Sequence, residues 1–481
     1  MGDILNTNVV VIGSGVSGLS AALTAAEAGA EAIVFEKQRS LGGTSNFFHG
    51  IFAAESDMQR ARFITYTRDE AFRNVMDYSH WRANPRLVRA VIDQSAATIE
   101  WLQKQGVKFI DAINNLLDSP RTYHVVKGGG EAVVKELATR CRGKNIKIMT
   151  ATPVNRILRE GGRIKGVLAG ENREETQVNA GAVVIASGGY ANNKEWIKKY
   201  AGFDLDVNLM PVGNVDKTGD GIRMAYELGA DSDGLGVLEL YRVGPTGPEF
   251  AMKSTIEYAV VQPDLWVDGR GERYCDESVG FYETSAGNAS ARQAEGSSYS
   301  IFDSAVVKRL TENGIDKSHG MDFPPGARVE GLDKDLDRAI ANGSTEVFGA
   351  GSIRELAEKI KVAPEKLQAT IDEYNEFCRK GHDALFCKDP KYLRPIEGPR
   401  FYAVRAKTVF LGTLGGIRIN ERTEVIDKKG EVIPGLYAVG FDAGGMYGDS
   451  YCIRDASGLS AGFAINSGCM AGRNAAAYLG K

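Results

Sequence analysis

The chain has little of the chemistry that marks metalloproteins and secreted scaffolds. Six cysteines in 481 residues (Cys141, Cys275, Cys378, Cys387, Cys452 and Cys469) never fall at C-x-x-C spacing. That argues against a zinc site, an iron–sulfur cluster, a c-type haem or a disulfide framework, and suits a reducing cytosol. The formal net charge is only −4, so nothing electrostatic speaks for nucleic acid. No apolar stretch approaches the ~18 residues of a membrane span. No basic segment followed by an apolar run precedes the first strand signal. We therefore expect no membrane span and a cytoplasmic location. Internal repeats and low-complexity tracts are also absent. A hydrophobic fraction of 43% and a charged fraction of 25% are those of an ordinary globular protein, and the length suggests two or three domains.

What the chain does have is glycine placed at turns. The apolar run Val9-Val10-Val11-Ile12 is β-branched and reads as a strand. Gly13-Ser14-Gly15-Val16-Ser17-Gly18 follows at once, then an Ala- and Leu-rich helix to Ala28, stopped by Gly29. A second strand, Ala32-Ile33-Val34-Phe35, ends on Glu36. This is a β-turn-α-β unit for a dinucleotide. Gly13 permits the tight turn, Gly15 lets backbone approach a pyrophosphate, and Gly18 lets helix and strand pack closely. The helix N-terminus offers N–H groups and a positive dipole end to phosphates. Glu36 stands where an acid binds ribose hydroxyls.

Gly42-Gly43-Thr44-Ser45 suits a loop lying against a cofactor. In the following aromatic loop, His49 reads as a packing residue more readily than a catalytic one. From Met76 to Phe109 the pattern is helical, with apolar residues at Leu87, Val88, Val91, Ile92, Ala96, Ile99 and Leu102 and a stop at Gly106, and Glu131 to Cys141 reads as another helix. Strands are expected at Ile146–Met149 and Thr152–Leu158, with a hairpin turn at Gly161-Gly162. Ala182 to Tyr190 is a buried strand running into the turn Ala186-Ser187-Gly188-Gly189. Thr218-Gly219-Asp220-Gly221 opens a helix. From Leu238 to Lys407 the dinucleotide signals vanish, and the polar stretch around Asp276-Glu277-Ser278 and helices near 353–360 and 364–379 read as an inserted domain. Strand-and-glycine signals return with Gly412-Thr413-Leu414-Gly415-Gly416 and with Ile433 to Gly440, and an Ala-rich helix over 458–479 closes the chain.

In that order, these motifs resemble the flavoprotein family of soluble fumarate reductases, succinate dehydrogenase flavoprotein subunits, urocanate reductase and 3-ketosteroid Δ1-dehydrogenases. The match covers nearly the whole chain. The resemblance implies an α/β fold: a Rossmann-like FAD-binding domain of the GR2 type with an inserted α+β capping domain, divided as 1–237, 238–407 and 408–481. It implies non-covalent FAD, with Gly13, Ser14, Gly15, Ser17 and Gly18 at the turn and Glu36 and Lys37 after the second strand. Gly42, Gly43, Thr44, Ser45 and Gly50 would line the flavin side, Val154 the adenine, and Ala186, Ser187 and Gly188 the pyrophosphate. Asp220, Gly440 and Asp442 are further contact positions, although the family's acid directly follows the glycine, where Phe441 stands here. Leu459 and Ser460 would face the flavin.

The catalytic half departs from the fumarate reductases. Their His-Pro-Thr is Gly244-Pro245-Thr246, their acid/base Arg position holds Phe281 or Tyr282, their His-His-Thr is Leu411-Gly412-Thr413, and their final substrate Arg falls on Tyr451, with Arg454 nearby. A dicarboxylate needs cationic partners, so fumarate and succinate are poor fits. The Gly-Thr-x-Gly-Gly segment and a tyrosine after Asp276-Glu277-Ser278 are similar to ketosteroid dehydrogenases, while their Tyr-Pro-Gly-Pro-Gly segment is absent. The expectation is hydride transfer at flavin N5 next to a carbonyl, as enone or enoate reduction or the reverse desaturation. Tyr282 and then Tyr451 are the candidate proton carriers, with Arg454 polarising a carbonyl or lowering a tyrosine pKa. The expected partners are a small-molecule substrate and a separate electron donor or acceptor: a quinone, a flavin or a redox protein. The remaining readings are a urocanate- or fumarate-type reductase, an amine or amino-acid oxidase, and a non-catalytic flavoprotein subunit of an electron-transfer complex.

Overall fold

A computed structural model describes residues 4–116, 118–170, 175–213, 215–246, 254–317 and 324–481. The chain forms two compact units: Met1–Gly202 with Gly213–Glu239 and Leu411–Lys481, and Phe203–Val212 with Leu240–Phe410. The second unit takes in Phe203–Val212, a segment that no sequence signal marked.

The first unit is built on a six-stranded sheet. Its strands are β1 (Val9–Ile12), β2 (Ala32–Phe35), β3 (Lys147–Met149), β4 (Ala182–Ile185), β5 (Glu424–Ile426) and β6 (Val432–Ala438), in the order β5-β6-β4-β1-β2-β3. All neighbours are parallel except β5 and β6. Every residue of β1, β2 and β4 is buried, which is why these strands read as unbroken apolar runs: a parallel strand is covered on both faces. Helix α1 (Val16–Glu27) follows β1, α2 (Pro85–Lys104) and α3 (Gly129–Gly143) come next, and α4 (Asp220–Glu227) and α5 (Leu459–Tyr478) lie downstream. Val9, Val11, Leu19, Leu23, Val133, Leu137, Ile465 and Ala475 share one core, so both ends of the sequence close the same layer. The hairpin expected after Val154 is present, Val154–Glu160 pairing with Arg163–Ala169.

The helical pattern expected from Met76 is interrupted before Pro85, while its far end at Lys104 falls close to the expected stop at Gly106. One helix ends at Tyr78, α2 begins at Pro85, and Phe109 opens a strand. His80 and Trp81 have φ of 52° and 59°, left-handed values no helix continues through. Asn84 then caps α2, accepting from Arg86 N at 3.1 Å and Leu87 N at 3.3 Å, with Pro85 at the first helical position, where its missing N–H costs nothing.

The second unit centres on residues 401–410 of the long strand Phe401–Thr413, flanked by Ser297–Asp303 and then Leu265–Val267, with Val347–Ala350 pairing to the strand's first half. Its core joins Leu265, Ile301, Leu310, Leu336, Leu356 and Ile371. No helix among the described residues is long and apolar enough to cross a membrane.

Candidate cofactor and active site

A cavity of about 350 Å³ opens in the first unit, within the size range of ligand sites. The β1–α1 turn forms one wall. Gly13 has φ of +109°, and a Cβ there would lie 2.1 Å from the carbonyl oxygen of Ala186; only glycine fits. A Cβ at Gly18 would lie 2.0 Å from Gly13 O, so this residue sets helix–strand packing behind the wall. Gly15 is the N-cap of α1, so the helix has no side-chain cap, and its first turn holds no acid. Its positive end is left for an anion, and Ser14, Gly15, Val16 and Ser17 line the cavity. The Glu36 carboxylate accepts from Ser14 N at 3.0 Å, Ser14 Oγ at 2.6 Å and Gln38 N at 2.8 Å. A carboxylate offers about four acceptor sites, so Glu36 holds the turn and keeps room for a further donor.

Lys37 and Asp220 line the same cavity and bind each other at 2.8 Å, with Asp216 at 3.1 Å from the same ammonium. Burial alone would lower the Lys37 pKa; the hydrogen bond and charge of Asp220, then those of Asp216, outweigh it and raise it. Gly42, Gly43, Thr44 and Ser45 also face the cavity, as do Val154, Ala186, Ser187, Gly188 and Gly440. Thr44 Oγ1 is buried without a hydrogen-bond partner. A buried hydroxyl left unmatched is costly, and together with the uncapped α1 terminus it fits a bound phosphate- and flavin-bearing group.

Four sequence-expected residues stand behind the wall. Gly18 does so for the reason above. Gly50 lies in a strand, where a Cβ would meet the Tyr123 ring at 2.5 Å. Leu459 is a buried residue in the first turn of α5. Asp442, fully buried, accepts from Ser187 Oγ and Gly188 N, both at 2.9 Å, and from Gly189 N at 3.1 Å. It shapes the glycine turn, while Phe441 takes the cavity-facing position. His49 is exposed, and its carbonyl accepts from Val126 N.

At the α5 end of the cavity, Ser460, Ala461 and Ala464 join Leu411, Phe441, Lys217 and Glu239. Tyr451 lies behind Ser460: its hydroxyl is 3.4 Å from both Ser460 Oγ and Ser460 N, and Ser460 Oγ is 3.3 Å from Glu239 Oε1. Burial, then the charge of Glu239, hold the Tyr451 phenol well above its ordinary pKa. That is opposite to the lowering expected from Arg454, whose side chain is half exposed with its Nε 3.9 Å from Asp455. Tyr282 belongs to the second unit, half-buried, and its backbone begins the helix Glu283–Ala291. Lys217 donates to the Leu411 carbonyl at 2.9 Å. Neither Lys217 nor Glu239 was expected from the sequence. Glu239, set in the apolar run Val237-Leu238-Glu239-Leu240, was the detectable signal, since an acid inside a strand of buried residues needs a reason.

The sequence profile described as "FAD binding domain" matches residues 8–451. A vinyl phenol reductase of Lactiplantibacillus plantarum is 34% identical over 480 residues, covering 98% of this chain and 96% of that protein. A fumarate reductase (cytochrome) of Shewanella frigidimarina is 28% identical, covering 98% of this chain and 77% of its own length. The solved 3-ketosteroid Δ1-dehydrogenase of Sterolibacterium denitrificans superposes with a TM-score of 0.80 over 98% of this chain and 99% of its own, at 19% identity.

Proposed function

The chain belongs to the FAD binding domain family, and on that premise we propose that it is an FAD-dependent oxidoreductase reducing a carbon–carbon double bond conjugated to a carbonyl or an aromatic ring. FAD held in the cavity and reduced by a separate donor would supply a hydride to one alkene carbon, while the chain would supply the proton for the other, leaving a saturated bond. Gly13 to Ser17, Glu36, Thr44 and Ser45 hold the cofactor. The cavity wall offers Ser, Thr, Lys and Glu side chains to the cofactor.

The observation that carries this reading is Tyr451. A phenol held above its ordinary pKa by burial and by the charge of Glu239 is a poor base, which speaks against desaturation; as a donor it would act through Ser460, which lines the cavity and whose Oγ accepts from it at 3.4 Å. Ser460 stands between Tyr451 and Glu239, accepting from the phenol and donating to the carboxylate. Gly244, Phe281, Leu411 and Tyr451 stand where the resemblance would put cationic or imidazole groups, so a dicarboxylate finds few charge partners there. The similarity to a vinyl phenol reductase supports an aryl-conjugated alkene, and electrons come from a separate quinone, flavin or redox-protein donor. A reductase of a carboxylate substrate is the second reading, favoured by the similarity to a fumarate reductase.

The test is anaerobic. The purified holoprotein is reduced, then offered vinyl phenols, cinnamates, enones and fumarate while flavin reoxidation is followed. Conjugated aryl alkenes or enones should reoxidise it; reoxidation by fumarate alone refutes the proposal. Tyr451→Phe should slow the reoxidation about 100-fold with the flavin still reducible, whereas Tyr282→Phe should keep the parent rate. The reverse pattern moves the proton donor to Tyr282.

A further inference from the structure

Lys217 is the cavity group that neither the cofactor contacts nor the proton line absorbs. It is 4% exposed and lines the cavity. Its stem passes over the Gly188 turn, Cδ lying 3.6 Å from where a Cβ of that glycine would be, and its ammonium donates to the Leu411 carbonyl at 2.9 Å. Burial pushes its pKa down to about 8, against the upward pull of Glu239. Burying an ammonium is expensive unless charge meets it. Other charges nearby are already committed. Lys37, Asp216 and Asp220 bind one another, and Asp442 lies behind the Gly188 turn under three hydrogen bonds. The phosphates have the α1 terminus. Glu239, in the same cavity, is the one carboxylate among the described residues whose charge reaches Lys217, and it also accepts from Ser460; the further negative charge that Lys217 can answer is the one the cofactor would gain on reduction.

We propose that Lys217 is the charge partner of the reduced cofactor, raising the electron affinity of bound FAD and coupling its reduction to the protonation of this one amine. The proposal rests on the FAD reading above. Negative charge beside the amine stabilises its protonated form, so above pH ~8 reduction takes up one more proton than it does below.

The test is a redox titration of the holoprotein with dithionite and a reference dye from pH 6.5 to 9.5, together with FAD affinity in both redox states. The wild-type midpoint should fall more steeply with pH above about 8 than below it. Lys217→Met should lose that break, and should weaken binding of reduced relative to oxidised FAD at least tenfold, about 30 mV for a two-electron couple. Lys217→Arg, permanently charged, should keep the high potential and lose the break. Lys217→Gln keeps a donor for Leu411 O and serves if Lys217→Met does not fold. An unchanged potential in Lys217→Met or Lys217→Gln overturns the proposal. So does an equal loss of affinity in both redox states, which would make the lysine a simple anchor. Wild-type protein that takes up no FAD overturns the cofactor reading and this proposal with it, whereas FAD bound at a midpoint insensitive to Lys217 leaves the cofactor reading standing.

Discussion

Single residues in this protein do their work by leaving something unmatched. Thr44 Oγ1 and Tyr447 Oη are both buried without a hydrogen-bond partner, but in different settings. Thr44 lines the cavity, where a bound group can satisfy it. Tyr447 packs edge-on against Tyr451 and Phe463, with ring centroids 5.6 and 5.9 Å away, and burial drives its phenol pKa well up. Removing the Tyr447 hydroxyl therefore removes a desolvation cost and little else. Tyr447→Phe should be more stable by about 1 kcal/mol, seen as a raised midpoint in urea unfolding; a loss of stability would mean that the hydroxyl is satisfied in solution. Glu36 was legible from position alone, since it ends a strand after a glycine turn. Asp442 was legible as an important acid but not in its role. The extra residue Phe441 moves the carboxylate behind the Ser187-Gly188-Gly189 turn, and nothing in the local pattern reveals which way that offset points the side chain.

At the scale of elements, the β1–α1 turn is the most sharply determined part of the molecule. The carbonyl that a Cβ at Gly13 would strike belongs to Ala186, at the end of β4. That contact joins two neighbouring strands, and backbone cannot yield as a flexible side chain can. Gly13→Ala should abolish FAD retention on gel filtration and lower the melting temperature of the FAD-free protein; retained yellow protein at wild-type stoichiometry would contradict this. Element types were legible where burial on both faces makes a strand wholly apolar, as in β1, β2 and β4, and where caps are explicit. The break between Tyr78 and Pro85 was not read, because the apolar helical period resumes on its far side. What interrupts the helix is the left-handed backbone at His80 and Trp81, which leaves no mark in hydrophobic spacing.

At the scale of the whole molecule, each unit has its own core, and the second is held by buried charge as well as apolar contact. Arg273, 1% exposed at its side chain, pairs with Glu277 and Asp383 at 2.9 Å each, and Lys388 pairs with Glu277 at 3.1 Å. Breaking such a network strands an uncompensated buried carboxylate, which costs far more than the intact pairs contribute. Arg273→Met should destabilise the protein by about 3–5 kcal/mol, measured by calorimetry, with FAD still bound below the transition. Unaltered unfolding would show that the pairs are hydrated in solution.

The sequence by itself determined the β1–α1–β2 unit and its glycine turn for a dinucleotide. These depend on residues close together in the chain, where glycine spacing, strand composition and a capping signal act within one or two turns. Only the tertiary structure decided what gathers at the α5 end of the cavity. Lys217 reaches Leu411 across 194 positions, Ser460 reaches Glu239 across 221, and Asp442 reaches Ser187 across 255. Separations of that size are closed by sheet order and helix packing. The pKa directions of Tyr451 and Lys217 arise only once burial has removed those side chains from water.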